Sequence, residues 1–278
     1  PVGKSKYASK DYFAVATPFK NGKAVVMRKT NASLLESNTL EQMEKKELFE
    51  SAYVINSYGQ VESTLPLGYD VTDYGLNNDT VIVRDMTKQD ANYGVTKTDG
   101  TVLIPCIYQD IEYCEDDLFL VQNENGFFGF VAPTSIVKID FKFESAYPFS
   151  NGYAAVKENG LWGIIDKEGK YIIEPKFNDI TKLVRSDVDI NVNGAAVANG
   201  IFVAQYGAYW GMFNLKGEIL DAIYAPNAES PYYNQSAGQF IVYKEYKEGI
   251  ASGYCGLLDL NGNQVLPAEY TYIGCFDK

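Results

Sequence analysis

The stretch Phe149-Ser-Asn-Gly-Tyr-Ala-Ala-Val-Lys-Glu-Asn-Gly-Leu-Trp-Gly-Ile-Ile-Asp-Lys-Glu-Gly-Lys-Tyr-Ile-Ile-Glu-Pro-Lys-Phe177 contains three short apolar runs separated by two turn signals. Asn159-Gly160 is typical of a two-residue hairpin turn, in which both central residues need positive φ. The run from Asp166 to Gly169 predicts a second turn. Pro175 ends the third run, because proline cannot donate to a β-ladder. We therefore predict a three-stranded meander, which is too small to bury its apolar face alone and must stack on further copies.

Looser copies of this unit recur along the 278-residue chain. Each is marked by an aromatic residue or cysteine followed by glycine, and the marker glycines are Gly94, Gly129, Gly163, Gly211 and Gly256. Together with a first copy that opens near residue 12, they predict about six repeats, at approximately 12–76, 77–115, 116–147, 148–184, 200–235 and 236–276. No shift in composition interrupts the array, so we predict a single β-repeat domain over residues 1–278.

The repeats predict an all-β fold of short antiparallel strands with one short helical insertion. Residues 28–50 interrupt the first copy, and their apolar residues Leu40, Met43 and Leu48 lie near helical spacing. An open curved stack is favoured over a closed β-propeller-like array. The reason is that the chain begins (13–19) and ends (270–276) in the same joining element, whereas closure usually needs complementary ends.

The run Gly160-Leu-Trp-Gly-Ile-Ile-Asp-Lys-Glu-Gly169, with Pro175 and Phe177 downstream, resembles the WG (also called KWG) repeat of many bacterial proteins. This copy matches closely, and the other copies are looser. With the decayed copies included, the resemblance covers nearly the whole chain. It implies an all-β bacterial protein, often secreted or at the cell surface and usually without an assigned activity. No catalytic residues come with the family, so none are carried over.

Trp162-Gly163 has two interpretations. Glycine weakens a strand unless something approaches its backbone closely, and a large aromatic ring packing over it is the usual reason. Core packing of Trp162 is favoured, because an indole buries a large apolar area. The alternative is that Trp162 forms a platform for a ligand.

Composition excludes several classes of function. The net charge of −12 argues against a nucleic-acid partner, since a phosphate backbone needs a basic surface. The absence of histidine removes Ser-His-Asp and Cys-His catalysis and imidazole metal sites. No apolar run approaches the length of a membrane span, so direct membrane insertion is not expected. The chain begins at Pro1, which fits removal of an upstream leader but does not show secretion.

Three further motifs favour structural interpretations. The four cysteines, Cys106, Cys114, Cys255 and Cys275, have no C-x-x-C spacing, and buried thiols are favoured over Cys106–Cys114 or Cys255–Cys275 disulfides. Asp259-Leu-Asn-Gly-Asn263 faintly resembles a calcium loop but aligns with the repeat turn. The acidic run Glu112, Glu115, Asp116 and Asp117 is typical of a solvated loop, with a cation site or paired catalytic carboxylates as the alternative. We predict no metal, no cofactor and no catalytic residue.

The predicted function is a non-enzymatic binding or scaffold module, secreted or at the bacterial surface, with a protein or glycan partner. Long insertions at 185–200 and 225–238 depart from the repeat, and loops on a regular scaffold are where binding usually occurs. The second insertion supplies the candidate ligand-binding residues Tyr232, Tyr233, Asn234 and Gln235. Two alternatives stay open: a glycan-active hydrolase or lyase that uses loop carboxylates, and a structural spacer.

Overall fold

The computed structural model describes residues 13–28, 52–71, 79–88, 90, 92–114, 117–182, 184–185, 196–198, 200–224, 230–237, 240–245, 253–259 and 261–273. All regular structure in these ranges is β-strand, arranged in six small sheets. The all-β prediction is therefore confirmed. The insertion predicted at 28–50, with its helix, lies outside the described ranges apart from Arg28, which ends a strand.

Two compact units are defined by their internal contacts. The first comprises Pro1–Ile111 with Pro133–Ser135, and the second comprises Glu112–Ala132 with Ile136–Lys278. Sheets 1 and 2 belong to the first unit, and sheets 3 to 6 belong to the second apart from a few boundary residues. The single domain over 1–278 and the choice between an open stack and a closed array stay predictions.

Sheets 1 to 3 are four-stranded, and chain neighbours pair with one another. Sheet 1 consists of β1 (Phe13–Ala16), β2 (Lys23–Arg28), β3 (Ala52–Asn56) and β4 (Val61–Thr64). Sheet 2 consists of β5 (Tyr69–Val71), β6 (Thr80–Asp85), β7 (Tyr93–Lys97) and β8 (Val102–Tyr108). Sheet 3 consists of β9 (Asp110–Tyr113), β10 (Phe119–Gln122), β11 (Phe128–Val131) and β12 (Val137–Phe143).

Sheet 4 is also four-stranded, and sheets 5 and 6 each have a fifth strand. Sheet 4 consists of β13 (Ser145–Ala146), β14 (Tyr153–Glu158), β15 (Leu161–Asp166) and β16 (Tyr171–Phe177). Sheet 5 consists of β17 (Asp179–Ile180), β19 (Val197–Ala198), β20 (Ile201–Tyr206), β21 (Tyr209–Asn214) and β22 (Ile219–Tyr224). Sheet 6 consists of β18 (Val184–Arg185), β23 (Tyr232–Ala237), β24 (Phe240–Glu245), β25 (Tyr254–Asp259) and β26 (Gln264–Tyr270).

The apolar core lies between successive sheets, as expected of units that cannot bury a face alone. Within the first unit one cluster joins sheets 1 and 2 through Val25, Val54, Val81 and Cys106. Within the second unit three clusters join sheets 3 and 4, sheets 4 and 5, and sheets 5 and 6. Strand β15 shows why both faces are needed: Ile165 packs toward sheet 3, whereas Trp162 and Ile164 pack toward sheet 5.

The turns predicted for the reference unit are confirmed. Asn159 and Gly160 have φ of 53° and 77°, as the hairpin between β14 and β15 requires. At the second turn the Gly169 N–H donates to the Asp166 carbonyl at 2.9 Å. The Asp166 carboxylate accepts the N–H groups of Glu168 and Lys170. The side chain therefore holds the turn closed, as an Asx turn does.

Core packing of Trp162 is confirmed, because its side chain is 5% exposed and stacks on Tyr147 with ring centroids 4.8 Å apart. The reason we gave for Gly163 is wrong. A Cβ on Gly163 would lie 2.6 Å from the Ile173 carbonyl oxygen and 2.9 Å from the Pro175 nitrogen. The close approach comes from the backbone of the neighbouring strand β16 and not from an aromatic ring. An aromatic ring packs against the marker glycine at Gly256, where Tyr243 fills the space.

The thiols of Cys106, Cys114 and Cys255 are buried and form no disulfide, as predicted, and Cys275 lies outside the described residues. Burial raises the pKa of the Cys106 thiol. Among the residues that the structure describes, no helix is long and apolar enough to cross a bilayer.

Candidate functional site

A concave surface with exposed aromatic residues at its rim lies between the end of β16 and sheet 5, inside the second unit. We call it the groove; its volume is about 520 Å³. Its lining consists of Lys176, Phe177, Tyr206, Tyr209, Gly211, Phe213, Gly217, Ile219 and Ala222. Phe177 and Phe213 are buried and form the floor, with ring centroids 4.8 Å apart.

Sheet 5, which lines most of the groove, lacks an irregularity in strand pairing that is found in sheet 4. In sheet 4, Trp162 pairs with Phe177 and Ile164 with Ile173, so a step of two residues on β15 is matched by four on β16. The extra residues bulge over Gly163. Sheets 2, 3 and 6 have the same two-against-four step between their last two strands.

In sheet 5 the pairing opposite the marker glycine is regular. Trp210 pairs with Ile223, Gly211 with Ala222 and Met212 with Asp221, one residue against one. No two-residue bulge covers Gly211, although a Cβ there would still lie 3.0 Å from the Asp221 carbonyl oxygen and from the Phe213 ring. Gly211 and Ala222 both line the groove.

Two tyrosines stand at the rim of the groove. Tyr206 and Tyr209 pair directly across the β20–β21 hairpin and are 58% and 53% exposed. The hairpin is held to the preceding sheet, because the Gly207 N–H donates to the Asn178 Oδ1 at 2.8 Å and the Asn178 N–H donates to the Gln205 carbonyl at 2.8 Å. Tyr206 meets Phe177 edge-on at 6.2 Å. These contacts position the two rings without burying them.

One cation lies at the other side of the groove. The Lys176 side chain is exposed, and its Nζ lies 5.1 Å from the Phe177 ring centroid. The same nitrogen lies 3.0 Å from where a Cβ on Gly217 would stand, so it reaches over that turn. Among the carboxylates of the described residues, none forms an ion pair with Lys176.

The equivalent place between sheets 3 and 4 is filled by the chain itself. We call it the counterpart site; it consists of Lys142, Phe143, Glu158 and Tyr171. The Lys142 Nζ lies 3.7 Å from the Glu158 Oε1, 5.0 Å from the Phe143 ring centroid and 5.3 Å from the Tyr171 ring centroid. The Tyr171 hydroxyl donates to the Glu158 carboxylate. Burial raises the pKa of Tyr171, and the hydrogen bond to Glu158 raises it further.

The residues that we predicted from sequence to bind a ligand, Tyr232 to Gln235, belong to β23. Their backbone is extended and pairs with β24, and Gln235 pairs in parallel with Val184 of β18. The structure thus brings the start of the first long insertion beside the end of the second. The side chains of Tyr232, Tyr233, Asn234 and Gln235 lie outside the described part of the chain, and their role stays a prediction.

Of the two other motifs, the calcium-like one has a structural role. The Asp259 Oδ1 accepts the N–H groups of Asn261 and Asn263, each at 2.8 Å, which makes the calcium-like motif a repeat turn. A hydrogen bond from the Asn263 side chain lowers the pKa of Asp259. Of the acidic run, Glu115 and Asp116 lie outside the described residues. No cluster of three or more metal-ligating acids or cysteines occurs within the described ranges.

Sequence reasoning missed the groove, although a signal was present. Phe177 follows the turn glycine Gly169 by eight residues, whereas Ile223, which pairs at the equivalent position, follows Gly217 by six. The segment also lacks the proline found at Pro105, Pro175 and Pro267 in other copies. A shortened fourth strand therefore marks the repeat without the bulge.

The stacked four-stranded meanders define the chain as a β-repeat protein. The model of the WG containing repeat matches residues 93–127, 137–162, 162–184 and 256–278. The predicted recognition is thus confirmed at four places, and the count of about six copies stays a prediction. The groove's rim and the rest of β20 to β22 fall in the unmatched residues 185–255.

Several solved structures are similar at low identity. BamB from Moraxella catarrhalis is 11% identical over 88% of this chain and 69% of that protein, with a TM-score of 0.46. The C-terminal WD40 domain of Sif2 is 11% identical over 88% of this chain and 67% of that one, with a TM-score of 0.43. AztD from Citrobacter koseri is 12% identical over 93% and 72%, with a TM-score of 0.40. No curated protein matches the sequence significantly. At these scores the similarities carry no functional inference.

Proposed function

We propose that this chain is a binding module and that its ligand lies in the groove. The observation that supports this most directly is the pair of exposed rings, Tyr206 and Tyr209, above a floor of Phe177 and Phe213. They stand in the one sheet from 2 to 6 that lacks the two-residue bulge opposite its marker glycine.

Exposed tyrosines suit a binding site for a physical reason. Each ring offers a large apolar surface to a ligand, and only two side-chain torsions have to be fixed on binding, so the loss of conformational entropy is small. A volume of about 520 Å³ lies within the range of known ligand pockets, roughly 300–1,000 Å³. The Asn178 contacts hold the hairpin before any ligand arrives, so little binding energy is spent on ordering it.

The lining favours binding over glycan hydrolysis. Glycoside hydrolysis needs two carboxyl groups on opposite sides of the scissile bond. The described lining has no aspartate or glutamate side chain and instead offers phenols, an ammonium group and apolar carbon. We propose a protein partner and a location outside the cell or at its surface, and we keep Tyr232 and Tyr233 of β23 as a second proposed contact.

The test is a ligand search with paired variants. A random-peptide display library and a glycan array are probed with the purified chain, with the double variant Tyr206→Ala/Tyr209→Ala and with Leu161→Ala. Leu161 holds the position of Tyr209 in the sheet 4 hairpin and serves as the control. We expect the double variant to bind at least about tenfold more weakly with an unchanged melting midpoint, and the control to bind normally.

A parallel Tyr232→Ala/Tyr233→Ala variant separates the two proposed contacts. Loss of affinity in this variant alone would move the site from the groove to β23. Failure of both libraries to yield a ligand, or a ligand indifferent to the groove variant, would overturn the proposal.

A further inference from the structure

We infer that the groove takes a polypeptide segment that presents an aromatic side chain and a carboxylate on the same side. This inference rests on the proposed function and specifies the chemistry of its ligand. It comes from comparing the groove with the counterpart site, where the same repeat position is occupied by groups of the chain itself.

The counterpart site shows which groups satisfy this position. Its lysine, Lys142, lies near two aromatic rings and against the carboxylate of Glu158. The hydroxyl of Tyr171 donates to the same carboxylate. A ring and a carboxylate, joined by a hydrogen bond, thus complete the surroundings of the ammonium group.

The groove has a lysine at the same repeat position as Lys142, but it lacks counterparts of the Glu158 carboxylate and the Tyr171 ring. Lys176 lies over Phe177 at 5.1 Å, much as Lys142 lies over Phe143 at 5.0 Å. Strand pairing places Ile219 at the position of Tyr171, because Ile165 pairs with Tyr171 and Phe213 pairs with Ile219. Tyr206 stands at the position of Glu158, the last residue before the hairpin.

Among the described residues, the ammonium group of the groove therefore has no carboxylate paired with it, and no ring takes the place of Tyr171. The groove volume of about 520 Å³ can accommodate an aromatic ring beside Tyr206 and Tyr209. Charge complementarity to Lys176 favours a carboxylate in the ligand. The apolar lining favours an aromatic side chain beside it.

A polypeptide supplies these two groups at a suitable spacing. Side chains two residues apart in an extended segment lie on the same side. A glycan presents many hydroxyl groups, and each would need a polar partner when buried. The described lining supplies two phenol hydroxyls and one ammonium group, too few for a buried saccharide but sufficient for one carboxylate.

The experiment uses three pools of blocked hexapeptides, randomised at the other positions. One pool has glutamate and tyrosine two residues apart, one has glutamine and tyrosine, and one has glutamate and alanine. Binding to the full chain is measured by fluorescence anisotropy at two salt concentrations. We expect the first pool to bind about three- to fivefold more tightly than the glutamine pool, the range of an exposed ion pair, with a smaller difference at high salt. We expect it to bind at least about tenfold more tightly than the alanine pool.

Three variants test the assignment to the groove. Lys176→Gln should abolish discrimination between the glutamate and glutamine pools, while the matched control Lys142→Gln should keep it. Tyr206→Glu should place a carboxylate beside Lys176, as Glu158 lies beside Lys142, and thereby weaken binding of the first pool.

Equal binding of the three pools, or discrimination that survives Lys176→Gln, would overturn the inference. If the pools are not discriminated while a glycan or another peptide still depends on Tyr206 and Tyr209, the inference fails and the proposed function stands. If nothing that binds depends on those tyrosines, both fail.

Discussion

The groove and the counterpart site occupy equivalent places in neighbouring repeats, and they differ in what fills them. At the counterpart site the chain closes the space with Tyr171, with Glu158 and with the bulged backbone opposite Gly163. At the groove the ring is replaced by Ile219, the carboxylate by Tyr206 and the bulge by regular pairing. Two deleted residues and two substitutions thus separate an internally satisfied repeat from an open one.

This difference indicates that, within one array, some repeats contribute mainly to stability and another is open for binding. Groups that satisfy one another inside the protein are unavailable to a partner. Groups left exposed on a rigid frame cost the protein little and remain available. Variants in the filled positions should therefore change folding, and variants at the groove rim should not.

The largest expected effect is the loss of a large aromatic ring from the core between sheets 4 and 5. Trp162→Ala should lower the free energy of unfolding by about 3–5 kcal/mol, because the indole is buried against Tyr147 in the core of sheets 4 and 5. The Tyr206→Ala/Tyr209→Ala variant should lower it by less than about 1 kcal/mol, because both rings are more than half exposed. Urea unfolding measures both. A similar loss of unfolding free energy for the two variants would show that Tyr206 and Tyr209 are packed in the core and do not line an open groove.

A smaller effect is expected from filling the marker glycines. Gly163→Ala should cost about 2–3 kcal/mol, because its Cβ would lie 2.6 Å from a backbone oxygen that side-chain rotation cannot move. Gly211→Ala should cost less, about 1 kcal/mol, since its Cβ would lie 3.0 Å from the Asp221 carbonyl oxygen and from the Phe213 ring, a milder overlap than 2.6 Å. The same unfolding experiment compares the two. The contrast between the repeats would be broken if Gly211→Ala cost as much as Gly163→Ala.

The smallest effect is expected in the pH dependence of stability. Burial and the hydrogen bond to Glu158 raise the pKa of Tyr171 above its ordinary value of 10.0. As the pH rises past about 10, the unfolded chain loses this proton before the folded chain does, so the free energy of unfolding falls. Tyr171→Phe should therefore lose stability less steeply than the wild type between about pH 9.5 and 11.5. Urea unfolding at several pH values measures the slope, and equal slopes would contradict the hydrogen-bonded arrangement of the counterpart site.

Much of the fold was predictable because its signals are local. Asn159-Gly160 and the Asp166 turn depend on residues a few positions apart, and the structure confirms both. The burial of Trp162 was also predictable, since a meander must stack to cover its apolar face. The reason why residue 163 must be glycine was not predictable, because the atoms that approach Gly163 belong to a bulge on another strand.

The site was predictable only in part, for the same reason. The sequence predicted a site in the late repeats, and the groove does lie in one of them, sheet 5. The residues that line the groove, however, are not those of the insertion at 225–238. Lys176 reaches the groove from β16, and its neighbours there come from β21, β22 and the turn between them.

By itself, the sequence determined the class of fold, the repeat unit, the turn positions and the exclusion of histidine chemistry, because each follows from residue type and short-range spacing. Tertiary structure decided which repeat stays open. The openness depends on strand register, which sets whether two residues bulge over a glycine, and on which side chains from the neighbouring sheet meet there. Register is settled by pairing between strands and by burial across sheets, so it is a property of the assembled chain.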